Sequence, residues 1–121
     1  MNPVFKDYLW GGSKLVSQWG KKSGYEITAE SWELSAHKNG ESTAANGLLE
    51  GLPLNGITDR LGKSSLGTNS LSFDRFPILI KLIDSAKRLS IQVHPDDKYS
   101  LKNEGDYGKT EMWYIAQADE N

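Results

Sequence analysis

The chain has 121 residues, with 14 Lys and Arg against 16 Asp and Glu and no cysteine. The resulting net charge of -2 provides no basic field that would hold nucleic acid or an anionic membrane surface. The absence of cysteine fits a reducing compartment, and no apolar run approaches the roughly 18 residues of a membrane span. The N-terminus also lacks the pattern of a signal peptide. The composition therefore predicts a soluble cytoplasmic protein of about one domain in size.

A short helix is predicted near the N-terminus. Residues 13–19 lie between Gly12 and Gly20 and place Leu15 and Trp19 on one side of a helix. Because an isolated helix of this length is unstable in water, it needs tertiary contacts.

A strand is predicted for residues 25–36, where Trp32 and Leu34 alternate with polar side chains. His37 follows it, in a position typical of a rim or core histidine. Residues 38–70 are rich in Gly, Asn, Ser and Thr, which predicts loops over the outside of the fold and one helical turn around residues 57–61.

A second strand is predicted for residues 78–83, which are apolar on both faces except for Lys81. Lysine is almost never fully buried without a partner. Lys81 therefore indicates either a wet cavity with an anionic occupant or a strand at the edge of a sheet.

The last third of the chain is predicted to form strand, helix and strand. A turn near residues 87–88 would bring residues 89–94 back antiparallel to 78–83, and Pro95 would end that pairing because it has no N–H. Asp96 or Asp97 can cap a short helix running to about residue 104, with Gly105 as its left-handed terminator. A final strand is predicted for residues 110–117.

Five polar residues of this region have the spacing of a binding site. In a strand, residues two apart share a face, so one face would carry Ser90, Gln92 and His94, and a neighbouring segment would carry Lys109 and Glu111. The spacing alone is more typical of a polar sheet face in water, and lysines commonly pack their stems while the ammonium reaches solvent.

The surrounding motifs resemble those of the type I mannose-6-phosphate isomerases in their short bacterial form. The resemblance covers nearly the whole chain and is carried by Tyr8–Gly12, Glu30–His37, Phe76–Asp84, Ser90–Asp97 and Gly108–Tyr114. It implies an all-β fold, a cupin-type jelly-roll barrel with short helices. Residues 1–121 would be the N-terminal part of the catalytic domain, with residues 38–70 as an outer loop segment, and strands after Asn121 would complete the barrel.

The resemblance also implies a site with one zinc ion. Gln92, His94 and Glu111 match three of the family's four metal ligands, and the fourth, a later histidine, has no counterpart before Asn121. Such a set leaves the zinc with net positive charge, as in catalytic sites, although Fe²⁺ or Mn²⁺ could use the same donors. The matching lysines, Lys81 and Lys109, are implied to be catalytic and to bind substrate.

Ser90 is a further candidate for contact with substrate. The implied reaction interconverts mannose 6-phosphate and fructose 6-phosphate through an enediol, with a sugar phosphate as the partner. The general base and the oligomeric state are not specified by the sequence. With one ligand missing, the chain alone is expected to bind zinc weakly and to turn over little substrate.

Two alternatives belong to other classes of protein. A regulatory cupin module could bind a phosphosugar in the same pocket without isomerising it, and a purely structural remnant would bind neither metal nor sugar.

Overall fold

The strands form two small antiparallel sheets in the computed structural model, which describes residues 1–120. Their bounds are β1 Val4–Lys6, β2 Glu30–Leu34, β3 Ala36–His37, β4 Gly40–Glu41 and β5 Ile80–Ile83. β2 lies between β1 and β5, and β3 pairs with β4. Residues 1–120 therefore show open sheets, and the jelly-roll barrel stays a prediction.

Three α-helices accompany the strands: α1 Lys14–Ser17, α2 Leu54–Leu61 and α3 Asp97–Asn103. The helices predicted after Gly12 and after Asp96 are confirmed, and the turn predicted around residues 57–61 is the second half of α2. Short 3-10 helices occupy Gly47–Leu49, Lys63–Leu66 and Thr68–Ser70. Within residues 1–120, no helix combines the length and apolar character needed to cross a membrane.

The chain divides into two units, residues 1–89 and residues 90–120. The first unit contains both sheets and a core of mostly small side chains, whose buried apolar members are Leu15, Ala29, Trp32, Ala36, Ala44 and Leu54. Ser42 is also buried and donates through its hydroxyl to the Trp32 carbonyl oxygen at 3.1 Å. Buried hydroxyls in this core are thus hydrogen-bonded, as burial of a polar group requires.

The strands predicted for residues 89–94 and 110–117 are wrong for this structure, because neither segment is paired in a sheet. Ile91 is 97% exposed, Val93 88% and Met112 93%. Alternation of apolar side chains marks segments suited to a strand, but a strand also needs a neighbour for its backbone N–H and C=O groups.

After β5 the chain does not turn back to pair antiparallel with that strand, as was predicted for residues 89–94. The backbone N–H groups of Ala86 and Lys87 both donate to the Trp10 carbonyl oxygen at 3.0 Å. These contacts tie the segment to the residues after β1. Within residues 1–120, β5 lies at the edge of its sheet, which agrees with the second of the two explanations for Lys81.

Gly11 lets two backbone segments approach closely in the first unit. A Cβ added at Gly11 would lie 2.5 Å from the Ala29 Cβ and 2.6 Å from the Ala29 Cα. These neighbours are main-chain or completely buried atoms, so they have little room to move. Gly56 in α2 is different, since its nearest neighbour would be the Pro53 Cγ at 3.5 Å, an ordinary contact.

We expect Gly11→Ala to lower the free energy of unfolding by roughly 1–3 kcal/mol, because the added methyl overfills a packed contact. Gly56→Ala is the matched control and should raise it by up to about 1 kcal/mol, because alanine favours helix. Urea unfolding of the 121-residue chain, followed by circular dichroism, measures the free energy of unfolding of both variants. Equal effects of the two substitutions would contradict the importance of this contact.

Candidate functional site

The candidate residues of the second unit lie on the two segments that flank α3. Gly108 brings these segments together: a Cβ there would lie 2.6 Å from the Asp96 carbonyl carbon and 2.7 Å from the Pro95 carbonyl oxygen. The Gly108 N–H donates to Asp97 Oδ1 at 2.8 Å, and the Lys109 N–H donates to the Pro95 carbonyl oxygen at 3.3 Å. Only glycine permits this approach without movement of the backbone.

The start of α3 is fixed by its own cap. The Asp96 side chain accepts a hydrogen bond from the Tyr99 N–H at 2.9 Å, and Gly105 follows the helix with φ of +63°. Both are the local signals expected at the ends of a helix. The residues just before and just after α3 are therefore held at defined positions.

His94, Lys109 and Glu111 meet in this second unit. The Lys109 Nζ lies 2.7 Å from Glu111 Oε2 and 3.3 Å from His94 Nε2, and His94 Nε2 lies 3.4 Å from Glu111 Oε1. An ammonium can only donate, so a hydrogen bond from Lys109 requires a lone pair on His94 Nε2. The same lone pair is what a metal ligand needs.

The carboxylate of Glu111 is strongly stabilised in its charged form. The hydrogen bond from Lys109 is the largest cause, followed by one from the Trp113 indole N–H at 3.0 Å, and together they lower the pKa of Glu111 from 4.5 to about 2. Partial burial acts in the opposite direction, and the charges of Lys109 and His94 add smaller lowering effects. Glu111 is thus an anion at neutral pH, as a metal ligand must be.

Gln92 and Ser90 are placed differently from the other three residues. Both are exposed, and the Gln92 side-chain amide lies 3.5 Å from the Ser90 hydroxyl in a long hydrogen bond. The structure gives no contact from either residue to His94 or Glu111. The shared face predicted for Gln92 and His94 requires a pleated strand, and residues 90–94 are not one.

The separation of the His94 and Glu111 donors fits a metal ion. Two ligands at ordinary zinc distances in a tetrahedral site lie about 3.3–3.4 Å apart, which agrees with the 3.4 Å between His94 Nε2 and Glu111 Oε1. Within residues 1–120, no three or more His, Cys, Asp or Glu side chains form a metal-binding group. The amide oxygen of Gln92 is the donor from this chain that the resemblance adds to the pair.

An open surface depression of about 790 Å³ lies beside His94 and Lys109. Its lining also includes Tyr99, Glu104 and Tyr107. The volume lies within the range of about 300–1,000 Å³ found for small-molecule sites. The depression combines an imidazole, an ammonium and two phenols, which are groups that can hydrogen-bond the hydroxyls of a polar ligand.

Lys81 belongs to the first unit, where it contacts two residues of β2. Its Nζ lies 3.1 Å from Glu30 Oε2 and 4.9 Å from the centre of a Trp32 ring. The sequence interpretation did not identify Glu30 as its partner. The signal was present, because Glu30 and Trp32 are two apart and share a strand face, but the register with β5 was needed to use it. His37 packs edge to face against Trp32 with 5.9 Å between the ring centres, in agreement with its expected structural role.

The family model described as phosphomannose isomerase type I, catalytic domain, matches residues 1–120. The chain belongs to this family. It is 42% identical to the mannose-6-phosphate isomerase of Streptococcus mutans over 93% of its own length, and 38% identical to the mannose-6-phosphate isomerase ManA of Bacillus subtilis over 98%.

A solved structure of the same family has the same fold over this chain. The crystal structure of the mannose 6-phosphate isomerase from Bacillus subtilis covers 98% of the chain with a TM-score of 0.88 and 44% identity. The match covers 37% of the crystallised chain, and this chain spans 34–38% of the length of the curated relatives.

Lys109→Met is expected to raise the pKa of Glu111 from about 2 towards 4.5, because it removes the hydrogen bond that contributes most to the shift. Carboxyl carbon NMR of the metal-free protein, titrated from pH 1.5 to 6, measures this pKa. Trp113→Phe should raise it by a smaller amount.

The depressed pKa also sets the sign of a stability effect. The contribution of Glu111 is fully present above pH 4.5 and is lost as the pH falls towards 2, where the folded carboxylate takes up its proton. Lys102→Met removes a lysine of α3 that has no part in the shift and serves as the control. An unchanged Glu111 pKa in Lys109→Met would contradict the assigned cause.

Proposed function

We propose that this chain supplies metal ligands and substrate contacts to an isomerase that interconverts mannose 6-phosphate and fructose 6-phosphate. Family membership over residues 1–120 supports the reaction, as do the names of the relatives from Streptococcus mutans and Bacillus subtilis. The observation that carries the proposal is the meeting of His94, Lys109 and Glu111 beside a surface depression of suitable size.

The reaction defines what the site has to do. A proton leaves C2 of the open-chain aldose and a proton is added at C1, while the O1 carbonyl becomes a hydroxyl and the O2 hydroxyl becomes a carbonyl. Between these steps the sugar is an enediol, with negative charge developing on neighbouring oxygens. The site therefore needs positive groups beside O1 and O2.

Gln92, His94 and Glu111 are the residues of this chain that would hold a zinc ion. When bound, zinc supplies Lewis-acid stabilisation of the sugar oxygens. Two of these donors are neutral and one is a single anion, so the set leaves net positive charge at the site. The low pKa of Glu111 favours the deprotonated carboxylate that metal binding needs.

Lys109 and Lys81 supply fixed positive charge in the proposed reaction. The Lys109 ammonium pairs with Glu111 at 2.7 Å, and its other donors can bind a sugar or phosphate oxygen, since an ammonium carries three. Lys81 is proposed to contact an anionic part of the substrate, and the Ser90 hydroxyl to donate to a substrate oxygen.

A chimera tests this function directly. In it, the present chain replaces the matching part of the Bacillus subtilis isomerase, and isomerisation of mannose 6-phosphate is followed in a coupled assay. We expect an active chimera that retains zinc. His94→Ala and Glu111→Gln should each lower zinc affinity and kcat/KM by at least about 100-fold, because they remove metal donors.

Glu33→Gln provides the matched control. It makes the same chemical change as Glu111→Gln at a residue that pairs with Lys21 at 2.7 Å in the first unit, and it should leave zinc content and kcat/KM unchanged. If neither His94→Ala nor Glu111→Gln altered zinc retention, the proposed metal site would be wrong.

Hydrogen exchange separates an isomerase from a sugar-binding module. In deuterated water, the chimera should incorporate solvent deuterium at C2 of the sugar, because proton transfer passes through the enediol. Binding of mannose 6-phosphate without exchange would favour the regulatory alternative. The isolated 121-residue chain is expected to bind zinc more weakly than the chimera and to show little or no exchange.

A further inference from the structure

Lys81, Glu30 and Trp32 meet on one face of the β1–β2–β5 sheet. Trp32 is directly opposite Lys81 in the antiparallel register, and Glu30 lies two residues before Trp32 on the same face. Glu30 Oε2 accepts hydrogen bonds from the Trp32 indole N–H at 2.6 Å and from the Lys81 Nζ at 3.1 Å. A single carboxylate oxygen thus joins the two side chains.

Burial makes this arrangement more rigid than a surface ion pair. The Glu30 side chain is 8% exposed, and a carboxylate at this depth requires both a counter-charge and hydrogen bonds. Lys81 supplies the charge and Trp32 a neutral donor. The Lys81 side chain is 21% exposed, so its ammonium is paired and still reaches solvent.

Trp32 is fixed by contacts of its own. It is 6% exposed, the Lys6 Nζ lies 4.5 Å from the centre of a ring, and His37 packs against it edge to face. The Lys6 ammonium is in turn hydrogen-bonded to the Asn39 carbonyl oxygen at 2.6 Å. The indole N–H therefore points at Glu30 from a side chain that has little freedom to turn.

We infer that Glu30 and Trp32 are positioning residues that hold the Lys81 ammonium in place for an anionic group of the sugar phosphate. The inference rests on the function proposed for Lys81 and adds the two residues through which its position is set. An ammonium has three donors, so Lys81 can bind a substrate oxygen while it remains paired with Glu30. Holding the charge in advance lowers the reorganisation needed when substrate binds.

The first experiment measures whether Lys81 is held, and it needs no enzymatic activity. The 121-residue chain is treated with an amine-reactive ester, and the rate of modification at each lysine is followed by mass spectrometry. Glu30→Gln should raise the rate at Lys81 by about tenfold, because a charge-assisted hydrogen bond is lost. Trp32→Phe should raise it by a smaller factor, since it keeps an aromatic ring and the Glu30–Lys81 pair while removing the N–H that orients Glu30, together with part of the ring volume.

The control is again Glu33→Gln, on the same strand but the opposite face, which should change the rate at Lys21 and leave Lys81 unaffected. Circular dichroism of each variant confirms that the sheet is retained. An unchanged rate at Lys81 in Glu30→Gln, with the fold intact, would overturn the inference.

The second experiment measures whether the holding matters to the reaction, and it uses the chimera. Glu30→Gln should lower kcat/KM by about 10- to 100-fold, because a small displacement of a binding group is sufficient for such a loss. In a Lys81→Met background, Glu30→Gln should not lower kcat/KM further, since the ammonium that Glu30 positions is gone. A merely structural role for Glu30 would give the same loss in both backgrounds and would contradict the inference.

The two experiments distinguish two kinds of failure. If Lys81→Met alone left kcat/KM unchanged, the role proposed for Lys81 in the function would be wrong, whatever the modification rates showed. If Lys81→Met lowered kcat/KM but Glu30→Gln altered neither the modification rate nor kcat/KM, only the positioning role would be wrong.

Discussion

The close contact between the Gly108 backbone and the start of α3 determines whether the candidate metal donors can act together. His94 lies just before the helix and Glu111 after it. Because Gly108 has no Cβ, the two segments can approach more closely than any other residue would allow. The Gly108 N–H is bonded to Asp97, in the first turn of the helix. Helix capping, chain reversal and donor placement therefore belong to a single local arrangement.

Two lysine–glutamate pairs occupy different environments. The Lys109–Glu111 pair is partly solvated, so water and salt can screen it and the lysine can change partners at modest cost. The Glu30–Lys81 pair has a nearly buried carboxylate that would be left without a counter-charge if Lys81 moved away. The exposed pair would let the Glu111 carboxylate bind a metal in place of Lys109. The buried pair suits an ammonium that stays in place.

Local signals in the sequence were sufficient to predict α1 and α3. Asp96 and Gly105 mark the ends of α3 through their own backbone preferences, and these depend little on distant residues. The approach of His94 to Glu111 was expected from two neighbouring strands. In the structure, the close contact at Gly108 brings the two segments together instead. Nothing in the residue spacing predicted that contact.

Non-local pairing was the part that the sequence could not supply. The partner of Lys81 depends on which residue of β2 lies opposite β5, and a register between strands about 50 positions apart cannot be deduced from alternation within either one. The same limit applies to residues 89–94 and 110–117, whose alternation indicates strands without naming a neighbour.

The consequence for the candidate site is a difference in how its parts are held. Lys81 is held by the register of its sheet and by its pair with the nearly buried Glu30 carboxylate. His94 and Glu111 are placed by α3 and the Gly108 contact, on segments with no sheet pairing in residues 1–120. A bound metal would therefore add most rigidity at the donors, where the chain alone provides least, and little at Lys81, which is already ordered.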